Sequence, residues 1–343
     1  MRFFSKRECR LFVFLKSALL FIILLCVPVY AQVNQVTSVF SNLRANMLWP
    51  VVGSSYDSIT STFGPRIQYS TKSYDWHRGI DINAPLGTSV VAPTAGTFFG
   101  IRNYTDGGTS VILRHALPAK ISYAGKSLSY YYTFYMHLDS VDPSLLNAAV
   151  GKVVNRGDPI GKVGHSGGAV FDHLHWELRI GAPYSLEWQL ANPSSSYGSK
   201  NFGFDPHMHP MLMTIPYVSN SASLSLLTRP GSTDGIIQYS SDDDQPLLNR
   251  IEITIKSKVD NSLKASHTLD FNERVGYDPI SDINLNKINS LKPYMSPQPL
   301  GTSSPYLTKI VIPQAFVGSY YGGNYLTTVK AFDIWGRIIF IEW

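Results

Sequence analysis

Beyond residue 31 the chain has no cysteine; Cys9 and Cys26 both precede that point. A disulfide framework and any thiolate metal site are thereby excluded from the rest of the chain. A bound metal would have to be held by histidines and carboxylates. Charge is scarce too, at 15% of residues against 44% hydrophobic. That balance excludes a compositionally disordered chain and leaves enough apolar surface for a real core. A basic face is missing as well. Of 29 Lys+Arg and 24 Asp+Glu, five bases (Arg2, Lys6, Arg7, Arg10, Lys16) and one acid (Glu8) lie in the first 31 residues, leaving 24 against 23. No nucleic-acid partner is expected from such a balance. Long helical periodicity is rare, whereas tyrosine is plentiful at 20 residues, which favours strands.

The start of the chain reads as an export signal. Basic residues precede an apolar run from Ala18 to Val27, then Pro28 and a small-residue end at Val29-Tyr30-Ala31. This predicts a signal peptide over 1–31, cleaved before Gln32. The apolar run is short for a membrane span, so no stable span is expected after cleavage. The protein is expected in the periplasm or outside the cell. A polar N-terminal segment (32–48) follows, then a strand-rich domain over 49–192 with turn signals such as GPR at 64–66 and NRGDP at 155–159. A Ser/Gly-rich linker spans 193–203. Alternating runs such as LNRIEITIKSK (248–258) and YLTKIVIP (306–313) predict a smaller all-β domain over 204–343, an Ig-like sandwich. Within the first domain, GTSVVAPTAGTFFG (87–100) faintly echoes GKVVNRGDPIGKVG (151–164), consistent with two related β half-motifs.

Three segments bear the chemistry. In HLHWELRI (173–180) strict alternation puts His173, His175, Glu177 and Arg179 on one strand face and Leu174, Trp176, Leu178 and Ile180 on the other. The two imidazoles then stand roughly 7 Å apart at the backbone. In WHRGIDI (76–82) His77, Gly79 and Asp81 share one face of an extended segment, and Gly79 leaves room for something bulky between the two polar side chains. In TFYMHLD (133–139) alternation assigns Thr133, Tyr135, His137 and Asp139 to the polar face and Phe134, Met136 and Leu138 to the core. Taken alone, each segment reads more readily as an ordinary polar strand face than as a site. If the three segments are neighbours in one sheet, its polar face carries His77, Asp81, His137, His173 and His175, but alternation alone does not fix that pairing. Two histidines and one aspartate suit Zn²⁺ with a fourth position open for water, the arrangement of a catalytic site.

The order and spacing of these segments resemble the lysostaphin/LytM-type zinc metalloendopeptidases, which cut peptidoglycan. The resemblance runs from about Trp49 to Ile180 through WPVVG (49–53), ITSTFGPR (59–66), HRGIDINAPLGTSVVAPTAGTF (77–98), TFYMHL (133–138), VNRGDPIGKVGHSG (154–167) and HLHWEL (173–178). It implies a mainly β, antiparallel metallopeptidase fold of the duplicated hybrid motif type with a narrow groove. It implies His77, Asp81 and His175 as zinc ligands, and His137 and His173 as catalytic residues outside the metal shell. It also implies peptidoglycan as partner, with the C-terminal domain free for localisation or for cell-envelope proteins. Some relatives have lost ligands and activate other wall hydrolases instead. Here all five positions are filled, which favours chemistry over that silent regulatory role.

Two departures stand out. Positions 169–172 read AVFD where the family often carries a Ser-Thr-Gly-Pro type turn, and residues 115–134 are long for a connection, suggesting a hairpin over the groove. Other candidates are weaker. His115 reads as a packed strand-end residue. His207 and His209, bracketed by Pro206 and Pro210, read as domain-junction packing. Glu177 reads as a group supporting a metal ligand or, equally well, as a solvated strand residue. Asp242–Asp244 form a loop, and the C-terminal aromatics (Tyr320, Tyr321, Tyr325, Trp335, Trp343) form core and rim.

Overall fold

The structure, a computed structural model, describes residues 39–40, 43–67, 74–123, 126–181, 207–214, 222–241, 248–270, 293–297, 306–334 and 337–343. The expected leader, the linker 193–203, Asp242–Asp244 and Trp335 lie outside the described residues. No helix among the described residues is long and apolar enough to cross a membrane.

The first part of the chain is built from strands β1 (Ile59–Ser61), β2 (Gly64–Ile67), β3 (Tyr74–His77), β4 (Ile80–Asn83), β5 (Ser89–Val91), β6 (Gly96–Tyr104), β7 (Gly108–Tyr123), β8 (Lys126–Met136), β9 (Ser140–Val141), β10 (Val153–Val154), β11 (Pro159–Lys162), β12 (His173–Gly181) and β13 (His207–Met208). All their pairings are antiparallel. The main sheet runs β1-β4-β12-β8-β7-β6-β10, with β13 added beside β12, and β5-β11-β9 form a second, smaller sheet. The two echoed sequence segments pair with one another, β5 with β11 and β6 with β10.

The core lies against the Leu174-Trp176-Leu178-Ile180 face of β12. It includes Ile80 and Ile82 of β4, Val111 and Leu113 of β7, and Tyr131 and Tyr135 of β8. The opposite face was expected to be polar, but β12 is buried over its whole length. A second apolar cluster, Phe99, Tyr104, Ile112, Tyr132, Phe134 and Met136, covers it. The register explains this. Met136 lies opposite His175, Phe134 opposite Glu177 and Tyr132 opposite Arg179, and directly opposed residues share a face.

This register reverses the face assignment of TFYMHLD. Tyr135 joins the Trp176 side and Phe134 the histidine side. His137 lies one residue past the end of β8 and adopts φ +59, one of only two positive φ values at non-glycine residues among the described residues. An uninterrupted strand would send its side chain to the Trp176 side. The left-handed turn, sparsely populated for a residue with a Cβ, brings it back to the other.

The long hairpin is present as β7 and β8, but it does not cover the histidines. It projects from the end of β8 remote from Met136, roughly 25 Å away along the strand at ~3.3 Å per residue. Ile121 and Leu128 on it are buried in the core.

The remaining strands are β14 (Ala222–Thr228), β15 (Gly235–Ser241), β16 (Leu248–Ser257), β17 (Leu263–Asp270), β18 (Tyr294–Pro297), β19 (Tyr306–Ile312), β20 (Tyr325–Asp333) and β21 (Ile338–Glu342). They form two four-stranded antiparallel sheets, β14-β15-β19-β18 and β17-β16-β20-β21. Alternate residues bury Ile237 and Tyr239 from the first, and Ile251, Ile253, Ile255 and Val329 from the second. Residues 207–214 were expected with these sheets. Instead β13 pairs with β12, Leu178 opposite Met208 and Arg179 opposite His207.

Candidate metal centre

Three strand segments bring His77, Asp81 and His175 together. Asp81 of β4 lies directly opposite His175 of β12. His77 ends β3, and a bend at Arg78–Gly79 turns the chain into β4, so WHRGIDI is two strands rather than one extended run. Ligand-capable atoms of His77, Asp81 and His175 all lie within 4.8 Å of one another, and all three residues are buried. His175 Nδ1 is 2.8 Å and His77 Nε2 3.1 Å from the same Asp81 oxygen, Oδ1.

The outward nitrogens are already engaged. His77 Nδ1 lies 2.8 Å from the Thr62 carbonyl, so it carries the proton and leaves the Nε2 lone pair facing the cluster. His175 Nε2 lies 3.1 Å from Glu177 Oε1, which likewise leaves Nδ1 facing inward. Burial works against charge on His175, yet hydrogen bonds to the carboxylates on either side, Asp81 and Glu177, raise its pKa to about 9. Burial would raise Asp81, but His77 and His175 hold it well below the usual carboxylate range. Without a metal the two carboxylates thus favour a proton on both nitrogens of His175, and a metal held at Nδ1 would replace that proton.

Gly79 serves this meeting of strands. A Cβ there would lie 2.4 Å from the Trp176 carbonyl oxygen, 2.8 Å from His175 Nε2 and 3.0 Å from Glu177 Cγ. The space is thus filled by the protein's own β12. Gly79→Ala should push β12 away from the bend and cost about 1–3 kcal/mol. The expected result is a lower melting temperature.

His137 and His173 stand beside the cluster, their rings 4.8 Å apart, with His137 5.9 Å from His175. His173 Nε2 is 3.6 Å from Asp81 Oδ1. Each has its Nδ1 2.8 Å from a carbonyl, Ser166 for His137 and Phe171 for His173. Burial, then the neighbouring His175 and His173, lowers the pKa of His137 to about 4, so it is neutral at physiological pH. Ser166 does more than accept this bond. Its hydroxyl donates to the Leu138 carbonyl and accepts from the Thr109 amide, which locks the turn that carries His137.

Around the rim, Val170 and Phe171 of AVFD are exposed, and Asp172 pairs with His165 at 2.6 Å. Glu177, read as equally at home on a solvated face, is 2% exposed and contacts Arg179 through Nε (2.7 Å) and a terminal nitrogen. His115 lies on the other face of the sheet, stacked on Tyr131 with centroids 4.5 Å apart, its Nδ1 2.9 Å from the Ala95 carbonyl. Burial pushes its pKa down to about 4 against that hydrogen bond. Unfolding therefore lets His115 take up a proton below pH 6.5 that the fold refuses until about 4. Its stabilising contribution is complete above 6.5 and lost as pH falls through that window. His115→Gln should flatten the decline in melting temperature between pH 7 and 5, whatever its effect at pH 7.

Residues 75–186 match the model of peptidase family M23. The matched segment contains His77, Asp81, His137, His173 and His175. An uncharacterized metalloprotease of Haemophilus influenzae is 33% identical over 142 residues, 41% of this chain and 26% of that protein. The DD-carboxypeptidase/endopeptidase Mpg of Neisseria meningitidis is 35% identical over 127 residues, 36% of this chain and 25% of that protein. The chain thus spans about a quarter of the length of these curated relatives. Among solved structures, a zinc containing peptidase from Vibrio cholerae is 28% identical with a TM-score of 0.30, covering 38% of this chain and 36% of that one. His207 and His209 lie beyond the M23 match.

Proposed function

We propose that this protein is an exported zinc endopeptidase that hydrolyses peptide bonds in bacterial peptidoglycan. The observation that carries the reading is the convergence of His77, Asp81 and His175 within 4.8 Å, their outward ring nitrogens already hydrogen-bonded. Two imidazole nitrogens and a carboxylate are the donor set that a catalytic zinc site uses. Three donor atoms within 4.8 Å of one another, with Glu177 holding the far nitrogen of His175, fit the metal. Zinc held there supplies a Lewis acid for the scissile carbonyl and lowers the pKa of attacking water.

The protein's own contribution lies in His137 and His173. Both engage Nδ1 with a backbone carbonyl, which leaves the Nε2 side of each ring free to face the cluster. One takes the proton from the attacking water. The same proton is then available to the leaving amine. The resemblance of the M23 domain to a DD-carboxypeptidase/endopeptidase supports peptide cross-links or stems of the wall as substrate.

The test is mass analysis of fragments released from purified sacculi by the full chain, with chelator and after zinc restoration. Peptide fragments that vanish with chelator and return with zinc are expected. Zinc-loaded protein that releases none overturns the reading, and zinc-dependent wall binding without cleavage would favour a silent regulator instead.

A further inference from the structure

The second HxH motif, His207-Met208-His209, lies outside the M23 match, yet the structure places both its histidines behind the metal-candidate cluster. His207 pairs across from Arg179, so β13 prolongs the β4 edge of β12. Its Nε2 lies 3.7 Å from Glu177 Oε2, while Glu177 Oε1 holds His175 Nε2 at 3.1 Å. All of this is buried, with His207, Glu177 and Arg179 each 2% exposed. Arg179 lies over the Phe134 ring at 3.8 Å, which fixes the guanidinium that shares Glu177.

His209 makes a parallel connection. The Met211 amide donates to its Nδ1 at 3.2 Å, so the ring proton sits on Nε2. That nitrogen is 3.4 Å from the Thr62 hydroxyl, and the Thr62 carbonyl accepts from His77 at 2.8 Å. The ring also packs on Phe63 with centroids 5.3 Å apart. The flanking prolines do not prevent this. β13 is two residues long, and Pro210 opens a 3-10 helix (Pro210–Met213) capped by His209 itself, where a missing amide costs nothing.

We propose that His207 and His209 are positioning residues that set metal affinity, His207 through Glu177 onto His175 and His209 through Thr62 onto His77. This rests on the reading of His77, Asp81 and His175 as metal ligands. The segment 207–214 would then make the zinc site depend on chain that follows the M23 domain. Partners that orient a ligand typically change metal affinity by roughly 10–100-fold when lost.

The test uses the full chain, with zinc affinity measured by competition against a chromogenic chelator and thermal melting of the metal-free protein measured in parallel. His207→Gln, Glu177→Gln and the double variant form one cycle; His209→Ala and His209→Gln form a second comparison. His207→Gln and Glu177→Gln are each expected to weaken zinc binding at least tenfold. The double variant should be no weaker than the poorer single one, since both interrupt the same connection. His209→Ala should weaken binding similarly, with partial recovery in His209→Gln, whose amide still donates to Thr62. Affinity within twofold of the parent in folded variants overturns the proposal, as do strictly additive losses. Should His209→Ala fail to fold, the glutamine cycle decides the matter alone. A parent chain that binds no zinc would instead sink the metal reading itself.

Discussion

Asp81→Ala and His77→Ala are each expected to abolish zinc binding and wall cleavage together. Asp81 is the hub of the cluster, since one of its oxygens lies within 3.1 Å of both candidate ligand rings. Removing it leaves two buried imidazoles without the carboxylate that draws a cation between them. Affinity should fall by more than the roughly 10–100-fold that follows the loss of an outer partner. His77→Ala removes one donor nitrogen and leaves two, too few for a stable zinc site. Elemental analysis after dialysis, alongside fragment release from sacculi, checks both. An Asp81→Ala protein that keeps stoichiometric zinc would contradict the ligand assignment.

His137→Ala and His173→Ala should behave in the opposite way, keeping the metal while losing about 10²–10⁴ in rate, the range expected for a lost proton-transfer group. The geometry separates the two classes. His137 and His173 spend Nδ1 on carbonyls, and their rings sit beside the three candidate ligands rather than among them. Combining the two substitutions should cost less than the product of the single losses if they handle the same proton. A zinc-free His173→Ala protein would move His173 into the metal shell.

Much of this centre was legible in the chain itself. Period-two alternation places His175 and Asp81 on one face, and the observed register brings them opposite one another. What alternation could not show was its own interruption. His137 follows the last residue of β8 with φ +59, a backbone state that histidine does not announce and that reversed the inferred sides of Phe134 and Tyr135. The direction of the β7–β8 hairpin was likewise hidden. Strand length reveals a projection, but only pairing register tells which end projects. Glu177 was read as equally at home in solvent because the apolar cover over its face comes from Tyr132, Phe134 and Met136, residues that the same misassigned alternation had sent elsewhere. His207 and His209 carried the signal of a second HxH. Its flanking prolines argued against a strand, and neither the two-residue strand nor the capped 3-10 turn has a periodic signature.

The three ligand candidates also differ in how the backbone anchors them. Asp81 and His175 belong to strands inside the main sheet, and β12 is buried along its whole length. Opening such a strand approaches the cost of unfolding the domain. His77 instead ends a four-residue strand that pairs, among the described residues, with β2 alone, in a two-stranded ribbon beside that sheet. Amide hydrogen exchange should therefore be slowest around His175 and markedly faster through β2 and β3. Ion entry and escape would then proceed through the release of His77, with the other two donors remaining in place as a preformed half-site.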